Sequence, residues 1–219
     1  LKQLEYEKRL ASIAPLIPVS DTIEKETFVW IANNVMAMAY SDLNEPDSTL
    51  RYLQLIYDGA IKIKDPGLLA LATHGLGNYY FKKGNDSLAF YYYKECIPAS
   101  LIAGRVDGVV VAETAIARVF LKKGQSDSAL FYGRQALNRV QTIDAPDALQ
   151  GVYSLLSTLY KNLRQNDSAF KYLQQYVTLK DSLYNQTKII QAQNFSFNET
   201  LQQQQLEQVK KEAQQQYAA

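Results

Sequence analysis

The sequence predicts an all-α fold, an α-α superhelix of about four helix pairs that repeat every 40 residues, with a long helix after them. Residue types agree at four sets of positions spaced 40 apart. Apolar and small residues within each interval recur three and four positions apart, as on one face of a helix. The 219 residues include only 10 Gly and 6 Pro, together about 7% of the chain. On average these two types make up roughly 12% of a protein. Few turn residues favour long helices.

The 40-residue period is carried by four columns of positions. One column is aromatic and the next, at the expected turn, contains two glycines. Two further columns hold small residues. In this order the columns are Tyr40, Tyr80, Phe120 and Tyr160; Asn44, Gly84, Gly124 and Arg164; Thr49, Ala89, Ala129 and Ala169; and Ala37, Gly77, Ala117 and Ser157. Since all four stay in register over three steps, the repeat governs the fold.

The second interval illustrates the expected helix pair. Its first helix is predicted over residues 68–82, and Gly84 follows as a residue that can take positive φ. Asp86 or Ser87 is expected to cap the second helix, which should end at about Ile97 because a proline follows.

Small and aromatic side chains account for the packing expected within this pair. Gly77 and Ala89 let the two helices approach closely, and Tyr80 and Tyr93 fill the remaining space. Cys96 lies on the same face as Ala89 and Tyr93, where a small buried residue is expected.

This spacing resembles the tetratricopeptide repeat, whose usual period is 34 residues. The second interval matches best, through Leu76, Gly77, Tyr80, Gly84, Ala89 and Tyr93. Thr49 replaces the alanine in the first interval, Gly133 replaces an aromatic in the third, and Arg164 replaces the turn glycine in the fourth. The six extra residues fall between the second helix of one pair and the first helix of the next, as in KIKDPG and QTIDAPD, and we expect longer helices to absorb them.

The resemblance implies a solenoid over residues 27–181. Its units are expected at about 27–66, 67–106, 107–146 and 147–181. Residues 1–26 are interpreted as the second helix of a truncated preceding repeat, followed by a linker. Residues 182–219 are Gln-rich and without Gly or Pro, and Leu183, Ile190 and Phe197 recur seven apart. They predict a long polar helix that packs back on the solenoid, pairs with a partner helix as a coiled coil or homodimer, or frays as a tail.

Composition argues against several functions. The net charge of +1 and pI of about 7.9 give no basic excess for nucleic acid. His74 is the only histidine and Cys96 the only cysteine, so a disulfide, an imidazole-based metal site and a Cys–His nucleophile are not expected. We predict that the chain is not an enzyme and has no cofactor or metal. No apolar run reaches the roughly 18 residues of a membrane span.

Repeat solenoids bind partners along their concave face, and the resemblance implies that the first helix of each pair lines this groove. The predicted peptide-binding residues are His74, Asn78, Phe81, Lys82, Thr114, Arg118, Leu121, Lys122, Thr158, Lys161 and Asn162, with Asn34, Met38, Ser41, Asp42 and Ser154 beside them. The Lys and Arg residues form a basic stripe that suits a carboxylate or an acidic peptide. Alternatively, Lys82 and Lys122 only stabilise helix C-termini.

A second resemblance concerns the whole arrangement. A solenoid that passes through KDSLY into a Gln-rich helix is similar to the extracytoplasmic sensor regions of Bacteroidetes two-component histidine kinases and related membrane regulators. That resemblance implies a periplasmic sensor that binds a peptide or protein, with a membrane span and kinase beyond residue 219. The alternative is a cytoplasmic adaptor or co-chaperone-like module of the same fold. The repeated Asp-Ser-Ala and Asp-Ser-Leu also resemble a short O-glycosylation sequon of Bacteroidetes, although helix capping explains them as well.

Overall fold

The computed structural model describes residues 22–189, and all regular structure in this range is α-helical. The helices are α1 (Thr22–Asp42), α2 (Pro46–Ile63), α3 (Pro66–Lys82), α4 (Asp86–Ile102), α5 (Val106–Lys122), α6 (Ser126–Val140), α7 (Pro146–Asn162) and α8 (166–189). The chain forms two compact units, Leu1–Leu173 and Gln174–Ala219. The predicted all-α superhelix of helix pairs is confirmed. The predicted helix at the N-terminus of the chain and the stripe at Ile190 and Phe197 lie outside the described residues.

The helix boundaries repeat with the predicted period. Helices α2, α4 and α6 begin at Pro46, Asp86 and Ser126, each 40 residues after the last. Only residues 64–65 connect α2 to α3, and residues 103–105 connect α4 to α5, whereas α6 and α7 are joined by a longer segment, 141–145. The extra residues of the period therefore lie mostly within the helices, as expected. Helix α1 begins at Thr22, before the predicted start of the solenoid at residue 27.

The turn column closes each pair with the same backbone motif. Asn44, Gly84, Gly124 and Arg164 all have positive φ, from 57° to 76°. The backbone N–H of Asn85 donates to the carbonyl of Tyr80 at 2.9 Å, and Gly84 N–H donates to Phe81 at 3.1 Å. These two bonds define a Schellman motif, which satisfies carbonyls at the helix C-terminus. The turn is the reason for a glycine preference in this column.

A stacked aromatic pair joins the two helices of each unit across this turn. Tyr80 and Tyr92 stack with ring centroids 5.5 Å apart and planes inclined by 2°. The equivalent pairs in the other units have centroid distances of 5.5 or 5.6 Å. They are Tyr40–Tyr52, Phe120–Tyr132 and Tyr160–Tyr172. The second member of each pair is the tyrosine that follows the repeated Asp-Ser, and these tyrosines form a further column with the 40-residue period.

Close helix packing follows from the small-residue columns. A Cβ added to Gly77 would lie 2.5 Å from two ring carbons of Tyr93, which is 2% exposed. Ala89 and Ala129 are fully buried. The aromatic ring therefore occupies the space that the missing side chain leaves, as predicted for this pair of helices.

Two local predictions for the second pair were wrong. Helix α4 continues to Ile102 with Pro98 inside it. Proline removes one helical hydrogen bond, but Ala99 and Ser100 beyond it are buried, and their burial stabilises the last turn. The helix cap is Asn85, whose side-chain oxygen accepts from Leu88 N–H at 3.1 Å.

The repeated Asp-Ser motif lies in the first helical turn, after the cap position. Asp86 is the first helical residue of α4, and Asp127 is in the first turn of α6. Glu45 and Gln125, the residues before α2 and α6, make no side-chain cap bond. A carboxylate in the first turn still interacts favourably with the helix dipole, which gives the repeated aspartate a structural role other than capping.

Candidate binding groove

Five of the predicted groove residues line one cavity in the first compact unit. This central cavity has a volume of about 290 Å³. Helix α3 contributes His74, Asn78 and Phe81, and α5 contributes Thr114 and Arg118. The remaining wall consists of Tyr93, Val111, Ala115, Asp147, Ala148 and Gly151. The first helices of the second, third and fourth pairs thus share one concave surface.

A second cavity continues the groove toward α1. This N-terminal cavity has a volume of about 560 Å³. It shares His74, Asn78 and Phe81 with the central cavity, so these side chains form the wall between the two. The other predicted residues that line it are Asn34, Met38, Ser41, Asp42 and Lys82.

Hydrogen bonds orient the polar side chains of the shared wall. The hydroxyl of Tyr93 donates to Asn78 Oδ1 at 2.7 Å. Asn78 Nδ2 lies 3.5 Å from His74 Nδ1, and the His74 ring centroid is 5.9 Å from that of Tyr93. Because Tyr93 occupies the amide oxygen, Asn78 presents its N–H groups as donors.

Burial sets the protonation states of these two rings. It lowers the pKa of His74 from its ordinary value of 6.5, so the imidazole is neutral at pH 7. It also raises the pKa of the Tyr93 phenol, and the nearby Arg118 guanidinium only partly offsets this effect. Both rings are therefore uncharged in the cavity wall.

The cavity contains two other ionisable side chains, one of each sign. Arg118 is exposed on α5, and Asp147 is exposed in the first turn of α7. Among the described residues, neither takes part in an ion pair within 4.0 Å. Both charges are thus open to a ligand. Sequence reasoning found Arg118 but missed Asp147, although Asp147 stands 40 residues after Asp107, in the equivalent first turn of α5.

Two of the three lysines in the predicted stripe contact side chains of the preceding helix pair. Lys82 Nζ donates to Ser41 Oγ at 2.9 Å. Lys122 Nζ pairs with Asp86 Oδ1 at 2.8 Å and lies 5.1 Å from the centroid of the Phe81 ring. Both lysines are in the last turn of their helices. They tie successive pairs together, and the Lys122 charge is balanced by a carboxylate.

The remaining predicted residues lie away from the two cavities. Leu121 packs against the hydrophobic cluster around Leu156 and Leu159. Thr158 donates to the Ser154 carbonyl of its own helix at 3.0 Å. Lys161 and Asn162 are exposed at the end of α7. The geometry therefore concentrates the candidate site on α3, α5 and the start of α7.

Within 22–189, no group of three His, Cys, Asp or Glu residues is placed to hold a metal ion. No helix in that part of the chain combines the length and the apolar character needed to cross a bilayer.

Comparisons with known proteins agree with the repeat architecture. A family profile described as tetratricopeptide repeat matches residues 151–182. Comparison with curated proteins finds no match. Among solved structures, BtubC (BKLC) from P. vanneervenii is 19% identical with a TM-score of 0.69, over 83% of this chain and 73% of that chain.

Two further solved structures match this chain with lower TM-scores. The TPR-like repeats of a kinesin light chain from Podosopora anserina are 14% identical with a TM-score of 0.57, over 83% of this chain and 87% of that chain. Aspartyl phosphate phosphatase F from Bacillus subtilis is 16% identical with a TM-score of 0.56, over 81% of this chain and 54% of that chain. The chain thus contains a detectable tetratricopeptide repeat and has the TPR-like helical-repeat fold that is typical of protein-interaction scaffolds.

Proposed function

We propose that this chain binds a carboxylate-bearing peptide segment of a protein partner along the groove of α1, α3, α5 and α7. The observation that carries the proposal is the exposed Arg118 guanidinium in the central cavity, without an ion-pair partner among the described residues. The Asn78 amide lines the same cavity and is oriented by Tyr93. An arginine beside amide N–H donors is suited to charge-assisted hydrogen bonds with a carboxylate.

The two cavities suit an extended ligand better than a compact one. They share the wall formed by His74, Asn78 and Phe81, so a chain that leaves one cavity enters the other. The N-terminal cavity presents Met38 and Leu71 for apolar side chains, and the Lys82 side chain donates to the Ser41 hydroxyl rather than to a carboxylate. Alternating pockets along a concave face are the usual way in which repeat solenoids read peptides.

A peptide-display selection on the full chain tests the binding proposal. We expect wild type to enrich peptides with Asp, Glu or a free C-terminal carboxylate, and Arg118→Glu to lose that enrichment with a nearly unchanged melting temperature. Arg51→Glu is the matched control, since Arg51 is exposed on α2 and lies outside both cavities. Equal enrichment by wild type and Arg118→Glu would contradict the proposal, and a large loss of stability would make Arg118 structural.

We further propose that the binding module is the extracytoplasmic sensor region of a membrane-bound signalling protein of the histidine-kinase type. The support is the resemblance of the KDSLY segment and the Gln-rich residues after it to such regions. In addition, residues 181–183 are helical and no positive φ interrupts residues 165–189. A helix without a turn at this point is suited to carrying a conformational signal away from the repeats.

The gene downstream of residue 219 discriminates this role from that of a cytoplasmic adaptor. A membrane span followed by a kinase sequence supports the sensor, whereas a nearby stop codon favours the adaptor. Fractionation of the native host gives an independent result. Recovery of the protein only in the cytoplasm would contradict the sensor role and leave the peptide-binding groove intact.

A further inference from the structure

The central cavity carries one positive and one negative side chain on different helices. Arg118 comes from α5 and Asp147 from α7. The imidazole of His74, which lines the same cavity, is neutral at pH 7 because burial lowers its pKa. No ion pair joins Arg118 to Asp147 within the described part of the chain, although both line the same space. The cavity therefore has two open charges of opposite sign.

Asp147 is not explained by its helix position alone. Each of α2, α4, α5 and α6 also has an aspartate in its first turn. Asp86 is paired with Lys122, and Asp107 accepts two hydrogen bonds from Arg105 at 2.9 and 2.7 Å. Asp147 has the same favourable dipole position and, like Asp47 and Asp127, forms no ion pair among the described residues. Of these first-turn aspartates, Asp147 alone lines the central cavity.

We infer that the segment bound in the central cavity carries both an acidic and a basic side chain, the first at Arg118 and the second at Asp147. This inference rests on the proposed peptide-binding function and names the ligand chemistry of its central cavity. A purely acidic ligand would be attracted by Arg118 and repelled by Asp147. A segment with both charges satisfies the two residues together, as expected for electrostatic complementarity.

The rest of the wall suits the stems of such side chains. Phe81, Val111, Ala115 and Ala148 offer apolar surface to the methylene groups of Glu, Lys or Arg. The volume of about 290 Å³ is close to the lower end of the roughly 300–1,000 Å³ typical of small-ligand pockets. A pair of side chains is therefore a better match than a folded domain.

End-blocked tetrapeptides and NMR titration of the full chain test the inference. The probes are acetyl-Gly-Glu-Lys-Gly-amide, the same peptide with Glu and Lys exchanged, and the versions with Gln in place of Glu, of Lys, or of both. We expect one Glu/Lys order to bind tightest. Asp147→Asn should weaken the binding of that peptide about three- to fivefold, as for an exposed ion pair. It should not weaken the binding of the Glu/Gln peptide, in which Gln replaces Lys. Arg118→Gln should weaken both.

Two variants provide controls. Asp127→Asn removes the equivalent first-turn aspartate of α6, which lies outside the cavity, and should change no affinity. A Cβ at Gly151 would meet nothing within 4 Å, so Gly151→Leu should fill the cavity and reduce binding of every peptide without loss of the fold.

The outcomes separate this inference from the proposed function. If the Glu/Gln peptide binds as tightly as the Glu/Lys peptides and Asp147→Asn changes neither, the inference is overturned and an anion-binding groove remains. If no tetrapeptide binds, the inference is also overturned, while the display selection still decides the proposed function. If the display selection fails as well, both are wrong.

Discussion

Arg139 on α6 donates from Nε to Oε1 of Glu113 on α5 at 2.9 Å, while Glu113 Oε2 is buried without a hydrogen-bond partner among the described residues. Glu113 is only 2% exposed, whereas the side chain of Arg139 is 43% exposed. Burial raises the pKa of Glu113 above its ordinary value of 4.5, and Arg139 and Lys94 partly oppose this effect. An ionised Glu113 is thus only half satisfied.

Glu113→Gln should change the pH dependence of stability. With a raised pKa, the native state binds a proton that the unfolded chain has already lost. The contribution of Glu113 to stability is therefore present below about pH 4.5 and is lost as the pH rises through the native pKa. Urea unfolding at several pH values should show wild type losing stability relative to Glu113→Gln as the pH rises above about 4.5. A constant difference would contradict the raised pKa.

The single histidine should affect the pH dependence of stability in the opposite direction. Burial lowers the pKa of His74, so the unfolded chain binds a proton more readily than the native state. Its contribution to stability is complete above about pH 6.5 and falls as the pH drops below this value. An NMR titration should place the native midpoint below 6.5, and His74→Gln should remove this part of the acid sensitivity. A midpoint at or above 6.5 would show that the imidazole is well solvated.

The repeat columns predicted the fold because each column corresponds to one backbone or packing requirement. Gly84 marks a positive-φ turn, Gly77 marks a close helix approach, and Tyr80 marks an interhelical stack. The same columns could not place Asp147 in the central cavity, since that depends on how α7 lies against α5. Nor could they place the end of α4, where burial of Ala99 and Ser100 outweighs the proline.

Two glycines with opposite surroundings test the packing. Gly77→Ala would put its Cβ 2.5 Å from the Tyr93 ring, which is buried. We expect a loss of about 1–3 kcal/mol in the free energy of unfolding, as for overpacked cores. Gly151→Ala meets nothing within 4 Å and should gain up to about 1 kcal/mol from helix propensity. Equal effects in denaturant unfolding would mean that the α3–α4 packing is looser than the structure indicates.

Exchange of residues at the turn column tests the backbone requirement without touching the core. Gly84 has φ of 76° and Arg164 has φ of 58°, and a Cβ at Gly84 would meet nothing within 4 Å. Any penalty for Gly84→Ala therefore comes from the left-handed conformation, which costs roughly 1–2 kcal/mol for a residue with a Cβ.

Arg164→Gly should relieve that same strain. Its gain should be similar in size to the loss at Gly84, because the greater conformational entropy of glycine in the unfolded chain reduces both effects equally. Arg164→Ala keeps a Cβ at positive φ and should change stability little, so it separates backbone strain from loss of the arginine side chain. Denaturant midpoints of the three variants measure these differences. If Arg164→Ala and Arg164→Gly are equally stable, the left-handed turn does not limit the stability of the fourth pair.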